Sequence, residues 1–141
     1  MAEEHPKQKG IKTEAILLSE LVKRDLTVLT PFGDNERYDF VVEVEGIFHR
    51  VQVKTGRWEN GGVVFETRST GIHTYKTVRD TYQGDADLFG VYSYEEDTVY
   101  MVPVHETGSS QMKLRVDDPG INSPNINWAD DYTLDSWIEG L

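Results

Sequence analysis

The chain has 141 residues, no cysteine, and 14 Lys+Arg against 25 Asp+Glu, a formal net charge of −11. That length suits one domain with a core needing no staples, and the lack of cysteine excludes disulfides and thiolate metal sites. So acidic a surface repels phosphate and argues against a nucleic-acid partner, unless a high-salt cytoplasm shortens the Debye length to about 3 Å at 1 M.

Met1 to Gly10 reads as a polar arm carrying Lys7 and Lys9. Helical periodicity runs from Ile11 to about Asp25, with Ile11, Ala15, Leu18, Leu21 and Val22 on one side of the wheel. Glu14 falls within that stripe and Glu20 lies opposite. A carboxylate in a buried stripe needs a partner, although a place in the helix's first turn would also suit an acid. Leu26 to Thr30 is a short strand, and Pro31 to Glu36 a turn-rich loop.

Tyr38 to Thr55 reads as two strands joined by a tight turn at Glu45-Gly46. Side chains alternate in a strand, so Gln52 and Lys54 share one face while Val51 and Val53 take the other. The hairpin brings Asp39 near Gln52 and Lys54. An acid, an amide oxygen and an ammonium gathered on one sheet face need a metal or an anion among them, which is the chemistry of phosphodiester hydrolysis.

Gly56 to Gly62 is a second turn, and Val63 to Thr67 returns as a third hairpin strand. His73 to Tyr82 carries a weak helical signal, with Lys76 and Arg79 spaced to share a face. Asp87 to Tyr92 is a buried strand, and Val99 to Val104 is its hairpin partner, where Pro103 marks an edge or a strand end. Met112 to Val116 alternates like a strand. The aromatic tail from Trp128 to Trp137 is expected to dock on the domain. Neither a repeat nor a linker divides the chain, so residues 1–141 are expected to form one domain, with a core at about 10–104 and an extension at 105–141.

His5, His49, His73 and His105 lack ligand spacing, which argues against zinc. No Gly-rich phosphate loop, dinucleotide fingerprint or nucleophile elbow is present. Lys7, Lys9, Lys12, Arg57, Arg68, Lys76 and Arg79 are candidates to track a DNA backbone, each otherwise an ordinary solvated charge. Trp58, beside Arg57 just after the second hairpin strand, is placed to touch a groove or a strand end. No apolar run is long enough to span a bilayer, and the polar start Met1-Ala2-Glu3-Glu4-His5 is unlike a signal peptide, so a soluble, intracellular protein is expected.

The helix with Glu14, the hairpin with Asp39, Gln52-Val53-Lys54, and the helix and strand that follow resemble the PD-(D/E)XK nuclease superfamily. The matching words are Pro31-Phe32-Gly33-Asp34-Asn35, Arg37-Tyr38-Asp39, Arg50-Val51-Gln52-Val53-Lys54-Thr55, and Gly84-Asp85-Ala86-Asp87 leading into Phe89-Gly90-Val91-Tyr92. They cover roughly residues 10 to 104. The branch with Gln at the second acidic position, that of group I intron-associated homing endonucleases, is the nearest in pattern. The resemblance implies an α/β fold with a restriction-endonuclease-like core, a central mixed β-sheet flanked by helices.

It also implies a Mg²⁺-dependent cut in DNA (or one supported by Mn²⁺), of homing-endonuclease or Holliday-junction-resolvase type. By the family pattern Asp39 is the principal metal ligand, Glu14 supports the metal or its water, and Gln52 stands at the second acidic position. Lys54 orients the attacking water or stabilises charge on the phosphate. The expected partners are DNA and further copies of the chain, as a dimer or tetramer, in the nucleoid of a halophilic prokaryote. The other readings are a catalytically inactive nucleic-acid- or protein-binding module on the same fold, for which Gln52 and the net charge speak, and an acidic assembly protein that binds no DNA at any salt.

Overall fold

The computed structural model describes residues 5–33, 35–68, 81–121 and 123–141. Helix α1 spans Pro6–Lys23, followed by β1 (Thr27–Leu29), β2 (Phe40–Val44), β3 (Ile47–Thr55), β4 (Arg57–Glu59) and β5 (Gly62–Glu66). Then come β6 (Leu88–Ser93), β7 (Thr98–Pro103), β8 (Gln111–Arg115) and a short helix, α2 (Leu134–Glu139). The main sheet has five strands in the order β1-β2-β3-β6-β7. Only β3 and β6 run parallel within it, so the sheet is mixed, as expected.

The central hairpin forms where the sequence places it. Glu45 and Gly46 both adopt positive φ, 51° and 81°, the pairing that a two-residue hairpin needs to match strand twist. Phe40, Val42 and Val51 are buried on the face covered by α1, together with Leu17, Leu21, Tyr92 and Met101. Alternation sends Gln52 and Lys54 to the other face, where they pair in register with Phe89 and Val91.

That other face is covered by a second, three-stranded sheet in the order β4-β5-β8. Val63, Phe65, Met112 and Leu114 from this small sheet pack against Phe89, Val91, Tyr100 and Val102. The expectation for residues 56–67 is corrected here. Arg57–Glu59 is a strand rather than part of a turn, and β5 pairs with β4 and with the distant β8. The tight turn is confined to Asn60 and Gly61. The segment from His73 to Asp80, with Lys76 and Arg79, lies outside the described residues.

The first helix differs from its expected reading in two ways. It starts at Pro6 rather than Ile11, because His5 caps it by accepting the Lys7 N–H at Nδ1 (3.2 Å) and Pro6 needs no amide partner at the first helical position. The arm that reads as polar is therefore its first turn and a half. The buried face is also rotated by about a third of a turn from the expected stripe. Thr13, Leu17 and Leu21 are buried, whereas Ile11 (62%), Leu18 (37%) and Val22 (55%) are exposed.

Two local features set this phase. The Thr13 hydroxyl is bonded to the Lys9 carbonyl (2.9 Å) and shares hydrogen bonds with Thr55 (2.8 Å) and Tyr94 (3.0 Å), so a polar residue is satisfied in the interface. Gly90 supplies the room: a Cβ there would stand 2.3 Å from Leu17 Cδ2. The tail docks as expected, with Ala129 and Leu134 buried and Trp137 meeting His49 edge-to-face at 5.1 Å.

Candidate active site

Asp39 immediately precedes β2, and β3 holds it by main-chain geometry. Its N–H donates to the Val51 carbonyl (2.8 Å), and its Oδ2 accepts the Val53 N–H (2.7 Å). The carboxylate is thus fixed against the backbone between Gln52 and Lys54. Burial raises the Asp39 pKa, and the Val53 hydrogen bond and the Lys54 charge oppose that rise.

Lys54 is held among aromatic and backbone groups. Its Nζ lies 4.9 Å from the ring centre of Tyr82 and 6.0 Å from that of Phe89, and it donates to the Arg68 carbonyl at 3.4 Å. Burial lowers its pKa and the nearby Arg37 adds to the fall, while Asp39 and Glu66 work against it. The ring faces partly replace the water that the ammonium has lost.

Glu14 reaches the same site from α1, one residue past the buried Thr13. Burial first, and then the negative charge of Asp39, push its pKa up. It lines a pocket of about 310 Å³ with Thr30, Pro31, Glu36, Tyr38 and Asp39. Gln52 is half-buried on the Lys54 face, where its Nε2 makes a long bond, 3.4 Å, to the Val53 carbonyl. The structure thus couples Glu14 to Asp39 and Asp39 to Lys54, while neither Gln52 nor Lys54 belongs to the wall of the pocket.

Both carboxylates are held above their ordinary pKa first by burial, which disfavours the charged form, and Glu14 also by the charge of Asp39. Asp39 and Glu14 present carboxylate oxygens to one pocket, the kind of donor that suits a hard divalent cation, which typically takes one or two protein carboxylates and keeps several waters; the Gln52 amide stands outside that pocket's wall. Among the described residues, no group of three or more His, Cys, Asp or Glu is arranged to hold a metal. A larger cleft, about 510 Å³, lies around Phe48, His49, Asp87, His105 and Trp137, and it contains none of the four candidate residues.

The sequence matches the family described as PD-(D/E)XK endonuclease over residues 4–135. The chain belongs to that family. Among solved structures, that of a bacterial homing endonuclease, I-Ssp6803I, superposes with a TM-score of 0.71 at 28% identity, covering 99% of this chain and 93% of that chain. The restriction-endonuclease-like core expected from the sequence is therefore the observed one. No curated protein matches the chain in sequence.

Within this PD-(D/E)XK chain, the remaining candidate residues are scattered. Lys9 and Lys12 are exposed on α1, with Lys9 Nζ 5.0 Å from the Tyr94 ring centre. Arg57 is engaged by Glu59 and Glu66, and Arg68 is exposed beside Lys54. Trp58 packs inward against the core between the sheets. Two nearby residues were missed by the sequence reading. Glu36 lines the Asp39 pocket. Arg37, braced by the Thr81 carbonyl (2.6 Å) and Asp85 (2.9 Å), stacks 4.2 Å from the centre of the Tyr82 ring that also carries Lys54. Arg37 stands in the word Arg37-Tyr38-Asp39 that carries the family resemblance, whereas for Glu36 the signal was proximity to Asp39 in the sequence.

Proposed function

We propose that this PD-(D/E)XK chain is a metal-dependent DNA endonuclease, of homing-endonuclease or junction-resolvase type, that hydrolyses phosphodiester bonds. The observation that carries the reading is the Asp39 carboxylate bonded to the Val53 N–H, flanked by Gln52 and Lys54 and electrostatically coupled to Glu14. Asp39 and Glu14, with the Gln52 amide oxygen, would hold Mg²⁺ or Mn²⁺. When bound, such an ion polarises the phosphoryl group and acidifies its water.

The chain's own groups supply the rest. Asp39 is rigid because two main-chain bonds fix it, so its free oxygen keeps one direction. Lys54, stripped of much of its water, orients the attacking water or stabilises charge on the phosphate oxygens, where a desolvated ammonium acts strongly. The water oxygen joins phosphorus as the opposite P–O ester bond breaks in line. Gln52 brings no charge, so the ion is expected to bind more tightly once the phosphate adds its own oxygens.

Nucleases of this type that cut both strands usually act as dimers or higher oligomers, and we propose a homo-oligomer, a dimer or a tetramer, for this chain. The exposed apolar stripe of Ile11, Leu18 and Val22 on α1 supports that assignment. The net charge of −11 suits a high-salt cytoplasm, that of a halophilic prokaryote, where screening lets an acidic chain approach the DNA of the nucleoid. No described helix is long and apolar enough to cross a membrane.

The second reading is an inactive binding module on this fold, favoured by the neutral Gln52 at the second acidic position. Plasmid, linear duplex and four-way junction DNA, each incubated with Mg²⁺ or Mn²⁺ at low and molar salt, test the choice. Cutting establishes the nuclease and the preferred substrate gives its type. DNA binding without cutting on any substrate favours the module.

A further inference from the structure

The outer face of the small sheet holds a set of side chains that the proposed chemistry does not use. Met112 (7% exposed) and Leu114 (0%) point into the core, so Gln111, Lys113 and Arg115 point away from it along β8. Lys113 Nζ and Arg115 Nη1 both donate to one neutral acceptor, the Asn60 carbonyl, at 3.0 and 2.8 Å. Among the described residues neither forms an ion pair. Arg115 Nε also donates to the Asp117 carbonyl at 2.8 Å, so main-chain oxygens brace both cationic side chains on the outer face, beside the Asp117 carboxylate.

The surroundings add hydrogen-bonding side chains. A groove of about 430 Å³ runs beside β8, where Gln111, Lys113, Arg115, Asn125 and Asn127 share the lining with the carboxylate Glu106 and with apolar residues such as Ile121. Arg, Lys, Gln and Asn are the side chains that match the donor and acceptor pattern of base edges, Arg and Lys on guanine and Gln and Asn on adenine. β8 is the end strand of its three-stranded sheet, and its antiparallel pair with β5 has the form of the two-stranded ribbons that enter a major groove.

The face is also continuous with the candidate active site. β4 begins two residues after the end of β3, and Arg57 on it donates to both Glu66 (2.9 Å) and Gln111 (3.1 Å). Glu66, the register partner of Gln111, in turn acts on Lys54. From Gln111 to Arg115 the strand extends about 14 Å at ~3.4 Å per residue. That is roughly four base steps of a duplex leading away from the cut.

We propose that Gln111, Lys113 and Arg115, on the outer face of β8, read base edges in the major groove of the DNA duplex flanking the cleaved bond. This assignment rests on the nuclease reading for its substrate, but it is tested by binding alone. Asp39→Asn protein, which retains the fold and the ribbon, is used to select from a pool of randomised 30-base-pair duplexes.

The selected pool is expected to carry a sequence preference. Lys113→Ala and Arg115→Ala in the same background should each lose about tenfold or more of the discrimination at one or two adjacent positions, all within a run of roughly four base pairs. Arg115→Gln should move its position from guanine toward adenine, a change that misfolding cannot produce. An unaltered preference in all three variants, or no preference selected by the Asp39→Asn protein, overturns the proposal.

Cleavage by the chain with Asp39 intact separates the two readings. Altered selection with no cutting by the unmodified chain leaves the reading face in place and removes the nuclease. Cutting with a preference indifferent to β8 does the reverse.

Discussion

The Oδ2 of Asp39 accepts the main-chain N–H of Val53 at 2.7 Å, so the acid that opens one strand is locked to the midpoint of Gln52-Val53-Lys54 on the next. The bond leaves the second carboxylate oxygen of Asp39 for a ligand and fixes the carboxylate against the β3 backbone next to Lys54. Such positioning is what a phosphoryl-transfer site needs, because little covalent chemistry is left for the protein to do.

A divalent cation should stabilise the fold through this site. With Mg²⁺ or Mn²⁺ at about 100 times its Kd, the gain is about 2.7 kcal/mol, seen as a rise in Tm by calorimetry. Asp39→Ala should abolish that rise. An equal rise in the variant would place the ion elsewhere.

Without metal the same carboxylates work against stability. Asp39 and Glu14 have folded-state pKa values raised above their ordinary ones, so the fold binds their protons more tightly than the unfolded chain does. Stability is therefore lost as pH rises from the ordinary carboxylate range, about 4, through the raised values. Asp39→Asn, whose amide oxygen can still accept from Val53, should stabilise the metal-free protein at pH 7 by on the order of 0.5–2 kcal/mol. Glu14→Gln should act in the same direction, and both gains should fade below pH 4. Denaturant melts across pH check it.

Lys54 carries the opposite sign of shift with the same consequence. Its lowered pKa means that the ammonium is disfavoured in the fold, so its penalty is present at neutral pH and is relieved as pH rises through the lowered value. Lys54→Met should keep or raise Tm at pH 7 while lowering the single-turnover rate by roughly 10²–10³. A loss of rate accompanied by a matching loss of Tm would make Lys54 a structural residue.

Gly90 governs how closely α1 approaches the sheet. A Cβ at that position would lie 2.3 Å from Leu17 Cδ2 and 3.0 Å from Val51 Cγ1. Gly90→Ala should cost about 1–3 kcal/mol by overpacking and, by displacing α1, should weaken the reach of Glu14 toward Asp39. The Leu17→Val change, which withdraws the clashing methyl, should recover part of both losses when combined with it.

The hairpin and its polar face were legible in the sequence because alternation, a turn dipeptide and Gln52-Val53-Lys54 all lie within one local segment. The phase of α1 was not. Its apolar residues outline one face, but Thr13, Leu17 and Leu21 line the interface because Thr13 finds three partners and Gly90 admits Leu17. Glu14 comes near Asp39 in spite of the misread phase, since its position borders both the expected stripe and the buried face. The small sheet was unreadable for a different reason. β5 pairs with β8 across a long stretch of chain, and nothing local in either strand specifies that partner.

Cleavage of plasmid and duplex DNA by the unmodified chain, Asp39→Ala and Lys54→Ala, with Mg²⁺ or Mn²⁺ and with folding monitored by circular dichroism, addresses the central claim most directly. The account predicts cutting by the unmodified chain and its loss in both variants, each still folded. Undiminished cutting by a folded Asp39→Ala protein would contradict it.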